Sequence, residues 1–272
     1  MSSEQQDAVR RFHDLHREGL LLLPNAWDAG SARLIESLGA KAIATTSAGV
    51  AWSHGYADGD RLPVPLLAAT VAEIARVVAV PVSADVEGGY SSDLATVGEA
   101  VAAVIGAGAV GINLEDGTGE PDLLCAKVEQ AKRAGTRLGV DVFVNARCDV
   151  YLRNLAPAER RLDETLARAE RYRAAGADGL FVPGLTDASA IRSIASTIRL
   201  PLNVLARPGL PPASELAAFG VRRLSAGSWI ASASLATAAT RATEFLRTGA
   251  SEPLAGGAMP YADVNALFPE RG

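Results

Sequence analysis

A (β/α)8 TIM-type barrel is the fold this chain predicts, and three observations carry that reading. Eight short apolar runs recur along its 272 residues, each followed by an alanine-rich stretch with helical spacing. Three of those stretches end on a glycine just before the next run. The polar residues gather at the C-terminal ends of the runs and scarcely at their starts, which is where a barrel of this kind collects its function. A doubly wound open sheet remains the alternative, because counting strands leaves closure open.

Residues 5–18 read as an N-terminal helix, with Ala8, Val9, Phe12 and Leu15 spaced by one, three or four positions. Strands are expected at 20–26, 41–47, 80–86, 111–116, 141–149, 179–184, 200–206 and 222–227. Helices are expected at 31–38, 64–78, 93–106, 123–138, 156–175, 187–198, 213–219 and 228–247. The glycines of Leu38-Gly39-Ala40, Gly106-Ala107-Gly108-Ala109 and Ala174-Ala175-Gly176-Ala177 stand where a left-handed helix cap is needed. Gly106 to Gly111 also fits G-x-G-x-x-G, but here the motif closes a helix and leads into a strand. A dinucleotide site needs the reverse order. Residues 1–247 thus form a single barrel domain with its N-terminal and extra C-terminal helices. Residues 248–272 form a mostly irregular tail, with Pro253, Pro260 and Pro269 in it and Tyr261, Leu267 and Phe268 as anchors.

A hydrophobic content of 49% with only 5% aromatic residues suits a large core of Ala, Val, Leu and Ile. A net charge of −5 with no basic block argues against nucleic acid and acidic membranes as partners. The pairs Arg160-Arg161 and Arg222-Arg223 read as solvated faces. Cys125 and Cys148, with no CxxC, indicate neither a disulfide framework nor a zinc site. No apolar leader is visible, and no run reaches the ~18 residues of a membrane span, so a cytoplasmic protein is expected.

The stretch Asp85-Val86-Glu87-Gly88-Gly89 ends one apolar run with acids at i and i+2, which a strand aims to the same side. Two carboxylates at one point repel unless a cation lies between them, and hard oxygen donors suit Mg²⁺. Glu115 ends the next strand and completes an acidic cluster. Arg147 ends the strand after that; it pairs either with Asp149 or with a substrate carboxylate. Thr46 and Ser47-Ala48-Gly49 offer small side chains and backbone N–H groups, as an anion nest or a plain tight turn. Of the three histidines, only His54 follows a strand.

These residues resemble the isocitrate lyase/phosphoenolpyruvate mutase superfamily over roughly residues 18–247. The matching segments are Leu23-Pro-Asn-Ala-Trp-Asp28, Thr46-Ser-Ala-Gly-Val-Ala51, Gly55-Tyr-Ala-Asp58-Gly, Asp85-Val-Glu87-Gly-Gly-Tyr90, Asn113-Leu-Glu115-Asp116 and Asn145-Ala-Arg147-Cys-Asp149. The resemblance implies a barrel whose extra helix is exchanged between subunits of a homo-oligomer, a dimer or tetramer. It also implies an essential Mg²⁺, with Mn²⁺ as substitute, and 2-oxo acid substrates. Carried over, Asp85 would be the direct metal ligand, with Asp58, Glu87 and Glu115 around the ion. Ser47, Ala48, Gly49 and Thr46 would bind a substrate carboxylate opposite Arg147, and Asn203 would contact the substrate. Asp58, Glu115 and Arg147 would take part in catalysis.

Two departures narrow the chemistry. The second acid is Glu87 where the superfamily usually has aspartate, and the lyase lid core K-K/R-C-G-H is missing. Residues 116–127 read Asp-Gly-Thr-Gly-Glu-Pro-Asp-Leu-Leu-Cys-Ala-Lys, and Cys125 belongs to a helix core. The expected activity is a Mg²⁺-dependent C–C lyase or decarboxylase acting on an oxaloacetate-like 2-oxo dicarboxylate through a stabilised enolate. A phosphonate enzyme of the mutase or phosphonopyruvate hydrolase kind is one alternative. A 2-oxo-acid-binding protein with little turnover is another. A retro-aldol reaction would need a base, for which Tyr56, Tyr90, His54 or a metal-bound water are the candidates.

Overall fold

The computed structural model describes residues 3–268. Nine strands run β1 (Leu21–Leu23), β2 (Asn25–Ala26), β3 (Ile43–Thr45), β4 (Val82–Asp85), β5 (Gly111–Glu115), β6 (Phe143–Arg147), β7 (Gly179–Val182), β8 (Leu202–Leu205) and β9 (Val221–Ser225). All pair in parallel, and β1 pairs with β9 while β2 pairs with β3. Only Pro24 separates β1 from β2. Proline has no N–H to give a ladder, so one strand is split there into two short pieces. That split strand joins the sheet's two edges, and eight strand positions close into the predicted barrel. The open-sheet alternative is excluded.

The helices are α1 (Ser3–Asp14), α2 (Ala29–Ser37), α3 (Ser47–Ser53), α4 (Val64–Val77), α5 (Leu94–Gly106), α6 (Pro121–Leu138), α7 (Arg161–Ala174), α8 (Ala188–Thr197), α9 (Ala213–Ala218), α10 (Trp229–Thr248), α11 (Glu252–Ala255) and α12 (Tyr261–Ala266). Aspartates start three of them. The carboxylates of Asp28, Asp93 and Asp187 accept from the N–H of Ser31, Thr96 and Ala190, each three residues on. Gly108 and Gly176, at φ of 109° and 101°, make the left-handed exits from α5 and α7.

Two features differ from the sequence reading. Residues 47–53 form α3 rather than a turn, because Thr46 caps it by accepting from the N–H of Gly49. The tail after Gly249 carries α11 and α12, and Arg33 Nε ties it to the barrel by donating to Leu267 O at 2.7 Å. Pro269 lies outside the described residues.

α1 plugs the N-terminal end of the barrel. Phe12 is fully buried beneath Gly111, where any Cβ would come within 2.5 Å of its ring. Phe143 meets Phe12 edge-on at 5.5 Å and stacks on His16 at 4.2 Å. At the other margin, the 20-residue α10 buries only Ala231. Among the described residues no helix is long and apolar enough to cross a membrane.

Candidate active site

A cavity of about 160 Å³ opens at the C-terminal ends of the strands. Asn25, Thr46, Ser47, Asp58, Asp85, Asn113, Arg147, Ser225 and Ser228 supply its polar lining, with Ala48 beside them. Leu152, Phe181, Pro183 and Leu205 wall it on the far side. Two larger hollows lie outside the barrel wall, so convergence of polar groups marks this site, not volume.

Asp85 is the last residue of β4 and is held at both ends. Its N–H donates to Thr45 Oγ1 at 2.8 Å, and its Oδ1 accepts from the N–H of Glu87 at 3.0 Å. Its Oδ2 has only Asn113 Nδ2, at 3.4 Å. Burial pushes the Asp85 carboxyl above its ordinary pKa, while the Arg147 guanidinium pulls the other way.

The strand alternation stops at Asp85. Glu87 has φ of 50°, in the left-handed region, so its carboxylate leaves the direction that a continuing strand would give it. Its Oε2 accepts from the N–H groups of Gly59, at 2.8 Å, and Asp60, and its Oε1 accepts from Tyr90 Oη at 3.2 Å. Asp60 returns the contact, since its Oδ1 accepts from the N–H groups of Gly88 and Tyr90 at 3.1 Å each. Asp60 and Tyr90 also have positive φ, at 56° and 61°. Such conformations cost roughly 1–3 kcal/mol each and persist only where surrounding bonds impose them. Lys127 braces this loop from α6 by donating to Gly88 O. Burial pushes Glu87 up to about 7, helped by the charges of Asp58, Asp85 and Asp60 and opposed by the bond from the Asp60 N–H.

Arg147 ends β6 in a cage of acids. Its Nε and Nη2 donate to Asp149 at 2.7 and 3.0 Å, and its Nη1 lies 2.5 Å from Glu115 Oε2. Burial pulls this guanidinium down, but Glu115 and Asp149 outweigh it and hold its pKa above the ordinary value. The Asp149 pairing that the sequence left open is therefore present. Asp149 is fully buried and also accepts from Arg153 Nε at 2.8 Å. Behind it, Asp116 accepts from the Asp149 N–H at 2.8 Å, Arg168 Nη1 at 2.8 Å and Tyr172 Oη at 2.6 Å.

The sequence-predicted residues divide in two. Thr46, Ser47, Ala48, Asp58, Asp85 and Arg147 line one cavity. Gly49 lies behind it, where a Cβ would meet Thr46 Cγ2 at 2.7 Å and Trp27 Cβ at 2.8 Å. Glu87 and Glu115 turn to the loop and to Arg147, and among the described residues no three acids, histidines or cysteines cluster as a cation cage. Asn203 is buried, and its Oδ1 accepts from Ser225 Oγ at 3.2 Å. Of the candidate bases, Tyr90 serves Glu87, His54 Nε2 meets Thr70 Oγ1 at 2.9 Å, and Tyr56 stands at the surface. Because α6 already begins at Pro121, only residues 116–120 connect it to β5.

A family model described as phosphoenolpyruvate phosphomutase matches residues 12–246. The chain belongs to that family, within the isocitrate lyase/phosphoenolpyruvate mutase superfamily. Like it is an uncharacterized protein of Mycobacterium tuberculosis, 40% identical over 94% of this chain and 95% of its own. The structure of a candidate phosphonomutase from Burkholderia cenocepacia is 43% identical, with a TM-score of 0.82 over 87% of this chain and 99% of that one. An oxaloacetate decarboxylase of Rhodopseudomonas palustris is 29% identical over 84% of this chain and 80% of its own. Members of the superfamily are lyases or mutases.

Sequence reasoning missed Asn113 in the lining, and the supports Arg153, Arg168, Tyr172, Lys127 and Arg223. Arg223 corrects an expectation: far from being solvated, it is fully buried. The signal was available, because period two in β9 turns Arg222 outward and Arg223 inward.

Proposed function

We propose that the protein is a Mg²⁺-dependent decarboxylase or C–C lyase acting on a small 2-oxo dicarboxylic acid of the oxaloacetate kind. One observation carries this reading: Asp85 and Arg147 share a single small cavity with the first turn of α3. An acid facing a guanidinium across about 160 Å³ suits a ligand that carries both a chelating oxygen pair and a carboxylate.

The donor set fits a hard cation. Asp85 has four lone-pair positions and fixed bonds to only two of them, and the charges of Asp58 and Glu87 lie close by. Asp85 would hold the ion directly, with Asp58, Glu87 and Glu115 around it; Mn²⁺ would substitute. Such an ion supplies Lewis-acid stabilisation to the negative charge that develops on the 2-oxo oxygen.

The chain's own residues then do the rest. Arg147, held on one edge by Asp149, positions a carboxylate with its other edge once Glu115 yields. Ser47 and the N–H groups that open α3 donate to the remaining oxygens, and Asn203 contributes from below. As the bond from C3 to the departing carboxylate breaks, its electron pair forms the C2–C3 double bond and CO₂ leaves. No proton need be removed first. That suits a cavity whose lining, among the described residues, includes no His, Cys, Lys or Tyr. A retro-aldol cleavage would require a base, and a metal-bound water would have to serve as one.

The test is pyruvate release from oxaloacetate with Mg²⁺ against the same assay in EDTA, using Asp85→Ala as the blank for decarboxylation by free metal ion. Cation-dependent release above that blank supports the reading. Phosphate release from phosphonopyruvate would replace it with the phosphonate alternative, and saturable oxo-acid binding without product would leave a binding protein. We also infer that the protein works as a homo-oligomer, since α10 is too exposed to be stable by itself.

A further inference from the structure

Arg223 lies wholly buried on β9, and its two hydrogen-bond partners are neutral. Its Nε donates to Ser225 Oγ at 2.9 Å and its Nη2 to Asn113 Oδ1 at 3.4 Å, while Nη1 has no partner. β9 and β5 are not neighbours, so the contact to Asn113 crosses the barrel interior. A buried charge is ordinarily paired, and one held only by neutral groups costs stability.

We propose that Arg223 is a positioning residue that sets the polarity of the active-site floor, turning N–H donors toward an anionic, carbonyl-bearing substrate. This rests on the substrate class argued above. A guanidinium has five donors and no acceptor, so every neighbour must present it an oxygen. Asn113 gives its Oδ1 to Arg223, and to Asn145 Nδ2 at 2.9 Å, which leaves its Nδ2 for Asp85 and the cavity it lines. Ser225 Oγ accepts from Arg223 and therefore spends its own hydrogen on Asn203 Oδ1. That fixes the Asn203 amide with Nδ2 as a buried donor, and this Nδ2 has no partner among the described residues. One cation thus determines which way three neutral side chains face, and two of them line the cavity. Burial pulls the Arg223 pKa down to about 9, opposed by the charge of Asp85, so the group is still protonated at neutral pH.

The test compares the full-length protein with Arg223→Met and Arg223→Lys, using oxalate as the probe anion and Mn²⁺ as the probe cation in calorimetry. Crystal structures of the same three proteins give a readout independent of any ligand. Arg223→Met should weaken oxalate binding at least tenfold and shift Mn²⁺ binding less than threefold. Arg223→Lys, still a donor without an acceptor, should recover most of the oxalate affinity. In the Arg223→Met structure, Asn113 and Ser225 should rotate away from the positions they hold here. A parallel loss of both ligands, or a lysine variant no better than the methionine one, would show a purely structural role and overturn the proposal. Should the parent protein bind no oxalate, the substrate reading fails by itself, and unmoved Asn113 and Ser225 in the variant would still refute the role of Arg223.

Discussion

Asp149 engages two arginines from a fully buried position, and its own backbone is pinned by Asp116. Arg147 is therefore fixed along one edge whatever happens at the other. A lysine at 147 could offer one point charge where the fork now makes two bonds to Asp149 and one to Glu115. Arg147→Lys should raise KM for a 2-oxo dicarboxylate by about tenfold or more; steady-state kinetics showing an unchanged KM would remove Arg147 from substrate binding. Glu87 makes a pH prediction. With its pKa pushed up to about 7, the folded protein keeps a proton that the unfolded chain, near the ordinary 4.5, has already released. Its contribution to stability is therefore present below about pH 4.5 and is lost as pH rises toward 7. Above that, the ionised acids repel, and a bound cation relieves them. Millimolar Mg²⁺ should then raise Tm more at pH 8 than at pH 5.5; equal shifts at both pH values in a thermal melt would argue against these acids as the cation's surroundings.

α1 closes the barrel with a histidine that stays neutral. His16 Nδ1 meets Phe12 O at 2.8 Å, and burial, with Arg223 nearby, lowers its pKa to about 3. The unfolded chain takes up a proton below about pH 6.5 and the folded one does not, so this group's contribution is present above 6.5 and lost as pH falls. The slope is about 1.4 kcal/mol per pH unit at most. His16→Leu should flatten the acid limb of a stability–pH curve relative to the parent protein, read from urea unfolding between pH 6.5 and 4. Identical slopes would mean that His16 titrates normally. Gly111→Ala should also loosen this plug, since its Cβ would strike Phe12; overpacking of that kind costs roughly 1–3 kcal/mol. A variant that melts with the parent would show that α1 yields freely. The elements themselves were legible, because double-sided burial and glycine exits are written into composition and spacing. α3 escaped notice because seven residues are too few to show a helical period, and its signal was one threonine cap. Asp85 could be placed from strand alternation, but Glu87 could not. Its direction depends on a left-handed turn imposed by Asp60, a residue 27 positions away. The role of Arg223 required knowing that β9 faces β5 across the interior.

At the scale of the whole molecule, two apolar surfaces stand exposed among the described residues. α10 exposes Trp229, Leu235, Phe245 and Leu246, although it follows β9 and would be expected to lie on the barrel wall. On that wall a groove of about 630 Å³ runs past Leu20, Leu22, Pro24, Leu34 and Leu38, and Leu22 is 56% exposed there. In the proposed homo-oligomer, a second copy would lay its α10 against this groove and receive the first copy's in return, covering both by a two-fold operation. The short helices after Gly249 are tied to α10 by Arg241, which donates to Pro253 O and Gly256 O, so they would travel with it. The expected outcome is a dimer or tetramer of the 28.1 kDa chain in light scattering behind size exclusion, with no monomer at micromolar concentration. Leu246→Arg, on the helix, and Leu22→Arg, on the groove, should each shift the mass toward monomer and lower Tm. If only the helix variant dissociates, the two surfaces do not meet. A parent protein that runs as a stable monomer would leave α10 needing some other partner.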